Sequence, residues 1–444
     1  MRAISLALLS VLILFPVACP GLMAQDKDKD KNEQKISKEE EELNKLQREI
    51  QDSANQEALQ ARNKYYFGDE FLQAYVNDLG QSLVPKDAPA DVYFSFRVIN
   101  DVTPNAFALP DGRIFVHAGL LSFVDNEAQL AMVLGHEIGH VLERHAAKAL
   151  KNSRSIKSGL FSGLAAAATG ALTRDKNAAD AAALMAASAI VSSYDRKNED
   201  EADLVGIRLT LAKRIDPSQS VGFFEKLRDT FGEQDRLSNL LWGSHPRNVA
   251  RIENIKKTLE TDAKFKEEFN RLKNAGELSV DSGRFRLKAS RLIRETAIQW
   301  IEEQDRYDIA KKNLERVEEI RSFDPKVLMY LGKVYKLIGR TEEDKNKALD
   351  YLQRALAADQ RNLYPEIQRD LALMFAERTQ GASTAQATEL LKKYVLTYVE
   401  TRGMYPPDLE SIYDYLLLFG DGKWTAPRIE RQMVTERQPA KPGI

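Results

Sequence analysis

Cysteine is almost absent from this chain, which has one, Cys19, among 444 residues. A single cysteine excludes an internal disulfide, so the fold depends on hydrophobic cores, and the length is sufficient for two or three domains. An excess of charge of either sign is also lacking, because 64 basic residues face 66 acidic ones. Nucleic-acid binding usually requires a basic excess, so this balance argues against a nucleic-acid partner.

Long hydrophobic runs are scarce as well. An apolar run, Ile4 to Phe15, is too short to span a bilayer comfortably and precedes a small-residue cleavage site at residues 22–24. The pattern predicts a signal peptide over residues 1–24 and a periplasmic protein, with an uncleaved anchor as the alternative. Because Ala18 precedes Cys19, a lipid anchor at Cys19 also stays open, although it is not favoured.

After the signal peptide the composition becomes strongly charged. Residues 25–63 contain few aromatic side chains and predict a solvated spacer without chemistry. Residues 64–284 alternate helical and strand patterns, and we predict a mainly α (α+β) domain with a small β-sheet. Two alanine-rich runs within residues 158–192 are interpreted as closely packed helices near an active site, while peripheral membrane contact is the alternative.

Individual elements can be predicted from periodicity. Apolar residues at helical spacing begin at Phe71, and alternating apolar residues from Val92 to Val98 indicate a strand. A second strand, Arg113 to His117, follows a Pro-Asp-Gly turn signal. A helix is predicted to start after the possible caps Asp125 and Asn126 and to continue to about Leu150.

The C-terminal part shows a loose internal repeat. Leu331, Gly332 and Tyr335 return forty positions later as Leu371, Ala372 and Phe375. This recurrence predicts tetratricopeptide-like helical repeats over residues 285–400, which would form an all-α domain, followed by a C-terminal helix and tail over residues 401–444. A plain helical bundle is the alternative.

The stretch VLGHEIGHVLERH, residues 133–145, holds three of the five histidines. His136 and His140 are four residues apart, so on a helix they share a face and can bind one tetrahedral Zn²⁺. Glu137 points partly into the same space and can act as general base on a water at the metal. His145 lies half a turn from His136 and is therefore expected to face elsewhere, as a structural or surface residue.

A catalytic zinc site needs a third protein ligand, and the acidic cluster EDEAD, residues 199–203, is the best source. Glu199 and Asp203 are four apart and share a helical face. We predict that Glu199 binds the metal and that Asp203 orients a ligating histidine. Asp200 and Glu201 would then point to solvent. A plain surface charge run is the alternative.

These motifs resemble the gluzincin-type zinc peptidases of the CAAX prenyl endopeptidase and HtpX family. HEIGH and EDEAD carry the resemblance together with NAFALPDG (105–112), IFVHAGLL (114–121) and Ser244-His245-Pro246, over about residues 65 to 255. Export, a peptidase domain and C-terminal repeats are most similar to the BepA-like members. The resemblance implies a zincin-like fold and that Glu199 is the third ligand.

Three further roles follow from the resemblance. The histidine of Ser-His-Pro in BepA-like members can take the fourth zinc position and close the site, which assigns this role to His245. An edge strand near Asn105 would pair with the extended backbone of a substrate. The repeats would bind partners such as outer-membrane proteins or their assembly machinery.

The residues and the resemblance together therefore predict a zinc endopeptidase of the cell envelope with one Zn²⁺ per chain. Its substrates would be polypeptides, such as misfolded or stalled proteins, and its active site would be latent. A chaperone or scaffold in which zinc is structural is the competing hypothesis. A non-peptidase zinc hydrolase is a third, less favoured one.

Overall fold

The computed structural model describes Glu41 and residues 68–152, 194–231, 248–281, 283–377, 382–418 and 422–429. The predicted signal peptide, Cys19, most of the spacer, the alanine-rich runs and His245 lie outside these residues. Within them the chain is mainly helical with one small sheet, as the sequence predicts.

The strands are β1 (Ser95–Ile99), β2 (Ala106–Ala108) and β3 (Arg113–His117). The helices up to residue 274 are α1 (Glu70–Leu83), α2 (Ala118–Phe123), α3 (Glu127–Leu142), α4 (His145–Asn152), α5 (Arg196–Ala212), α6 (Gln219–Phe231), α7 (Asn248–Thr261) and α8 (Ala263–Asn274). The later helices are α9 (Phe285–Glu302), α10 (Tyr307–Glu318), α11 (Pro325–Ile338), α12 (Glu342–Ala358), α13 (Glu366–Ala376), α14 (Ala382–Arg402) and α15 (Leu409–Leu418).

The three strands form a mixed sheet in the order β1-β3-β2, with β1 parallel and β2 antiparallel to β3. Strand β3 has the predicted bounds. Strand β1 starts later than the alternation predicts, because a turn in which the Val92 amide donates to the Pro89 carbonyl comes first. Within the described ranges β2 pairs only with β3, so it is an edge of the sheet.

Helix α3 carries the histidine motif through the middle of the core. Asn126 caps it by accepting a hydrogen bond from the Gln129 amide, at 2.9 Å, and nearly every residue of the helix is buried. The predicted end near Leu150 is wrong. The helix stops at Leu142, Arg144 takes a positive φ of 52°, and the separate helix α4 begins at His145.

Helices α3 and α5 pack with their backbones close together because small residues line their contact. A Cβ added to Gly135 would lie 3.1 Å from the Gly206 Cα, and one added to Gly139 would lie 3.0 Å from the Ala202 Cα. Larger side chains at these positions would push the helices apart. The glycines therefore set the separation between the histidine helix and the helix that carries the acidic cluster.

The later helices pack as consecutive pairs, α9 with α10, α11 with α12 and α13 with α14. Leu331 lies on α11 and Leu371 on α13, so the recurring residues occupy the first helices of successive pairs. Gly332 is required where α11 meets α12, because an added Cβ would lie 2.6 Å from the Leu352 Cγ. The assignment to tetratricopeptide-like repeats and the domain division both stay predictions.

Helices α9 to α13 join the rest of the protein through one hydrophobic core, whereas α14 and α15 pack with α13 around a second cluster. Polar contacts reinforce the junction at the end of α2: the Arg316 guanidinium on α10 donates to the carbonyls of Ser122 and Val124, at 2.8 and 2.7 Å. The Lys226 ammonium donates to the Phe123 carbonyl at 2.7 Å. These cations satisfy carbonyls that the end of a helix leaves without partners. Across the described ranges, every helix is too short or too polar to cross a bilayer.

Candidate metal centre

Three buried side chains from α3 and α5 converge on one point. The Nε2 atoms of His136 and His140 lie 2.9 Å apart, and carboxylate oxygens of Glu199 lie 3.5 Å from the first and 3.4 Å from the second. All three residues are at most 3% exposed. Helix α5 places Glu199 in its first turn, because Asp195 caps the helix and forms a capping box with Asn198.

These separations fit a tetrahedral Zn²⁺. With bonds of about 2.0–2.1 Å, a tetrahedral ion holds its ligand atoms roughly 3.3 Å apart. Two imidazole nitrogens and a carboxylate are also the donor set that zinc prefers at a catalytic site, with one position left for water or substrate. Among the described residues, His136, His140 and Glu199 form a group able to hold a metal ion.

Asp203 lies one turn after Glu199 and binds the other nitrogen of His136. Its Oδ1 is 2.8 Å from His136 Nδ1, and both of its oxygens accept hydrogen bonds from the Arg251 guanidinium, at 3.0 and 2.7 Å. Arg251 comes from α7 and is itself buried against the Phe224 ring. The geometry that the sequence predicts for Asp203 is therefore present, with an arginine as an additional partner.

The two polar neighbours of His136 Nδ1 are compatible with different tautomers, and metal binding selects one of them. Arg251 Nη2 also lies 3.0 Å from His136 Nδ1, yet one nitrogen cannot both donate to Asp203 and accept from Arg251. If Nε2 binds a metal, Nδ1 carries the proton and donates it to Asp203. The guanidinium then binds Asp203 and lies beside the ring without a hydrogen bond to it.

The site favours a positive charge among its carboxylates. Burial and the Arg251 charge lower the pKa of His136, but the hydrogen bonds to Asp203 and Glu199 outweigh them and raise it to about 9. With His136 neutral, as zinc binding requires, the buried carboxylates of Glu137, Glu199 and Asp203 exceed the single charge of the Arg251 guanidinium by two when all are ionised. Buried charge of this kind is costly unless a cation neutralises it, and Zn²⁺ carries the required charge.

Glu137 is 2% exposed and lines the same cavity as His136. The remaining walls of the cavity are mostly apolar and include Leu120, Met132, Val133, Phe223, Phe224 and Leu227. Asn105 and Ala106 line it at the start of the edge strand β2. A carboxylate held beside an apolar cavity and a candidate metal site is suitably placed to move protons.

His145 does not face away from the site, and that prediction is wrong. The new helix that starts at His145 turns its ring back onto His140, with the two Nδ1 atoms 2.8 Å apart. His145 is fully buried, and its Nε2 lies 3.1 Å from the Glu201 carboxylate. The Tyr194 ring stacks on the His140 ring at 4.4 Å between centroids and also lies against the His145 ring.

Asp200 and Glu201 point away from the metal-binding group, but they also bind protein partners, which the expected orientation toward solvent does not include. Asp200 accepts a hydrogen bond from the Asn254 amide at 2.6 Å, and Glu201 binds His145. Both carboxylates are only partly exposed. His117, the remaining described histidine, is buried against Thr103 and Asp101 and does not belong to the metal-binding group.

Sequence reasoning missed Arg251, although a signal for it exists. Ile255 and Leu259 follow it at intervals of four residues and are buried, so Arg251 lies on the apolar face of α7. A charged residue on an apolar helix face usually has a buried partner of opposite charge. The pattern shows that a partner is required without showing which residue it is.

Comparisons with known proteins agree with this geometry. Residues 70–259 match the model of Peptidase family M48. The chain is similar to the beta-barrel assembly-enhancing protease of Escherichia coli K12, with 28% identity over 348 residues that cover 73% of this chain and 69% of that protein. It is also similar to the mitochondrial metalloendopeptidase OMA1 of Schizosaccharomyces pombe, with 29% identity over 202 residues that cover 44% of this chain and 56% of that protein.

The helical histidine motif, the glutamate from the neighbouring helix and these similarities define the protein as a zinc metalloendopeptidase with one zinc ion as its cofactor. The similarity to Peptidase family M48 covers residues 70–259, which carry both the histidine motif and Glu199.

Proposed function

We propose that the protein is an endopeptidase of the cell envelope that cleaves misfolded or stalled polypeptides and rests in a latent state. The compact, buried triangle formed by His136, His140 and Glu199 beside Glu137 is the observation that carries the endopeptidase assignment. Similarity to a protease named for enhancing beta-barrel assembly supports the envelope and its outer-membrane proteins as the setting.

Different side chains of the site have different roles in peptide hydrolysis. His136, His140 and Glu199 would hold Zn²⁺, which, when bound, supplies Lewis-acid polarisation of the scissile carbonyl and activation of water. Glu137 takes a proton from the attacking water as its oxygen bonds to the carbonyl carbon, and passes that proton to the amine nitrogen as the C–N bond breaks. Asp203 keeps the proton of His136 on Nδ1, so that Nε2 presents its lone pair to the ion.

The surroundings of Glu137 suit an extended polypeptide. The edge strand β2 reaches the cavity through Asn105 and Ala106, and an edge strand can pair with the backbone of a bound chain. The apolar walls can receive an apolar substrate side chain next to the scissile bond. A chain that has not folded exposes both features, namely unpaired backbone and apolar side chains.

Latency is assigned to His245, which lies outside the described residues. A histidine is a fitting fourth zinc ligand, and its occupation of the open position would exclude substrate until the histidine leaves the metal. The helical pairs after residue 285 are proposed to bind partner proteins, with outer-membrane proteins or their assembly machinery as candidates.

Removing the proposed closing ligand tests activity and latency together. We expect His245→Ala to cleave unfolded casein at least about tenfold faster than wild type, because the fourth position is then open. Proteolysis is followed as release of soluble peptide from labelled casein. The matched control is the His245→Ala, Glu137→Gln double variant, which should be inactive.

Equal activity of His245→Ala and wild type would reject the latch while keeping the endopeptidase. No zinc-dependent cleavage by any variant would instead favour the chaperone or scaffold with structural zinc.

The choice of the third ligand is tested by comparing two acids of the same helix. We expect Glu199→Ala to lose bound zinc during purification, because its carboxylate lies within 3.5 Å of both histidine Nε2 atoms. Glu201→Ala should retain about one zinc per chain, since Glu201 binds His145 instead. Metal content measured on protein prepared without chelator distinguishes the two, and zinc loss confined to the Glu201 variant would overturn the assignment.

A further inference from the structure

His145 and Glu201 form a second carboxylate-histidine pair directly behind the candidate ligand His140. The ring of His145 is fully buried, its Nδ1 lies 2.8 Å from His140 Nδ1, and its Nε2 lies 3.1 Å from Glu201 Oε2. Arg144, with φ at 52°, makes the tight turn that brings this ring back toward helix α3. A non-glycine residue in this conformation carries strain, so the packing around the turn must hold it in place.

Hydrogen bonding leaves one consistent placement of the protons. His140 presents Nε2 to the metal cluster, so its proton is on Nδ1 and points at His145. Two nitrogens 2.8 Å apart form a hydrogen bond only if one of them has a lone pair, so Nδ1 of His145 must be the acceptor. A neutral imidazole then carries its proton on Nε2, which is the nitrogen that faces the Glu201 carboxylate.

The opposite tautomer of His145 leaves two mismatches. With its proton on Nδ1, His145 would point a hydrogen at the hydrogen of His140. Its bare Nε2 would at the same time face a carboxylate oxygen of Glu201, so two acceptors would oppose each other. Opposed donors and opposed acceptors at these distances are unfavourable, so the first arrangement is preferred.

We propose that His145 and Glu201 are positioning residues that hold His140 in the tautomer and orientation required for zinc binding through Nε2. Glu201 accepts a hydrogen bond from the Nε2–H of His145 and so keeps that proton on Nε2. The Nδ1 of His145 in turn accepts a hydrogen bond from the Nδ1–H of His140. Asp203 makes the equivalent contact with His136 directly, so each histidine ligand has its own carboxylate, one of them acting through an intervening imidazole. This inference rests on the proposed zinc site and adds to it the residues that make His140 a competent ligand.

Substitutions that keep or remove the acceptor of His145 test the proposal. We expect His145→Leu and His145→Gln to lower zinc affinity about 10–100-fold, the usual cost of removing a partner behind a metal ligand. His145→Asn should stay within about threefold of wild type, because the oxygen of the shorter amide can occupy the position of Nδ1. The dissociation constant is measured by competition with a chromophoric chelator, and thermal unfolding of the zinc-free proteins controls for folding.

The carboxylate end has its own test, which also applies if a His145 variant fails to fold. Glu201 is about one-third exposed, so Glu201→Ala should fold and weaken zinc binding about tenfold. Lys197→Ala is the control, because Lys197 contacts the same carboxylate from the surface and should have no effect. A wild-type affinity in Glu201→Ala, an equal loss in Lys197→Ala, or equal weakening by the Asn and Gln variants would each overturn the proposal.

The outcomes separate this inference from the proposed function. A wild-type protein that binds no zinc rejects both. Tight zinc binding and casein cleavage by wild type, with unchanged affinity in Glu201→Ala, reject only the positioning role.

Discussion

Glu137→Gln, made in the His245→Ala background, is expected to lower kcat for casein-derived peptides by about 10²–10⁴-fold, the contribution typical of a general base. The amide is nearly isosteric with the carboxylate but cannot accept the proton of the attacking water. Glu137 is buried and lies on α3 between the two histidines without belonging to the metal-binding group. Zinc content should therefore stay at about one per chain.

As controls for this prediction, the zinc content and the thermal stability of the variant are measured on the preparation used for the activity assay. Zinc content should stay at about one per chain because Glu137 is not a ligand, and thermal stability should be at least that of the parent because glutamine removes a buried negative charge. Full activity with zinc bound would show that another group takes the proton. Lost activity together with lost zinc would show instead that Glu137 is needed to hold the metal.

Arg251→Met is expected to destabilise the protein by about 3–5 kcal/mol, the usual cost of leaving a buried charge without its partner. The guanidinium makes two hydrogen bonds to Asp203, at 3.0 and 2.7 Å, and both side chains are buried. Burial raises the pKa of Asp203, whereas Arg251 and His136 lower it. Without Arg251 the buried carboxylate keeps only His136 as a favourable partner, so it must either remain charged at a cost or bind a proton. Urea denaturation of the zinc-free protein measures the free energy of unfolding.

A double variant isolates the charge from the packing of the arginine. Combining Asp203→Asn with Arg251→Met removes both charges. The amide oxygen of the asparagine can still accept a hydrogen bond from the Nδ1–H of His136. We expect the double variant to be more stable than Arg251→Met alone. Equal stability of the two, or a loss below about 1 kcal/mol in the single variant, would show that water reaches Asp203 and that the pair contributes little.

The parts of the site that local sequence determines could be predicted. A four-residue spacing on a helix places His136 beside His140, and the same spacing relates Glu199 to Asp203. Strand β3 was predicted with correct bounds because its turn signal and its short apolar run agree. These features depend on neighbours within a few positions, which the sequence shows directly.

The rest depends on a backbone exception and on distant partners. Arg144 breaks the helix although no glycine or proline marks the position, so His145 was placed on the wrong face. Arg251 comes from a helix that is remote in sequence from Asp203, and no spacing rule connects them. The close approach of Gly139 to Ala202 likewise becomes evident only when the two helices are packed.

The backbone contact between α3 and α5 has a consequence for when the enzyme can act. His136 and His140 precede residues 153–193 in the sequence, and Glu199 follows them. Both helices must therefore be synthesised and packed together before the three ligands can form a metal site. Any event that parts the helices, such as heat or a larger residue at Gly135, separates the ligands at the same moment. Nascent or denatured molecules of this protein therefore cannot cleave one another, because proteolytic activity requires the folded state.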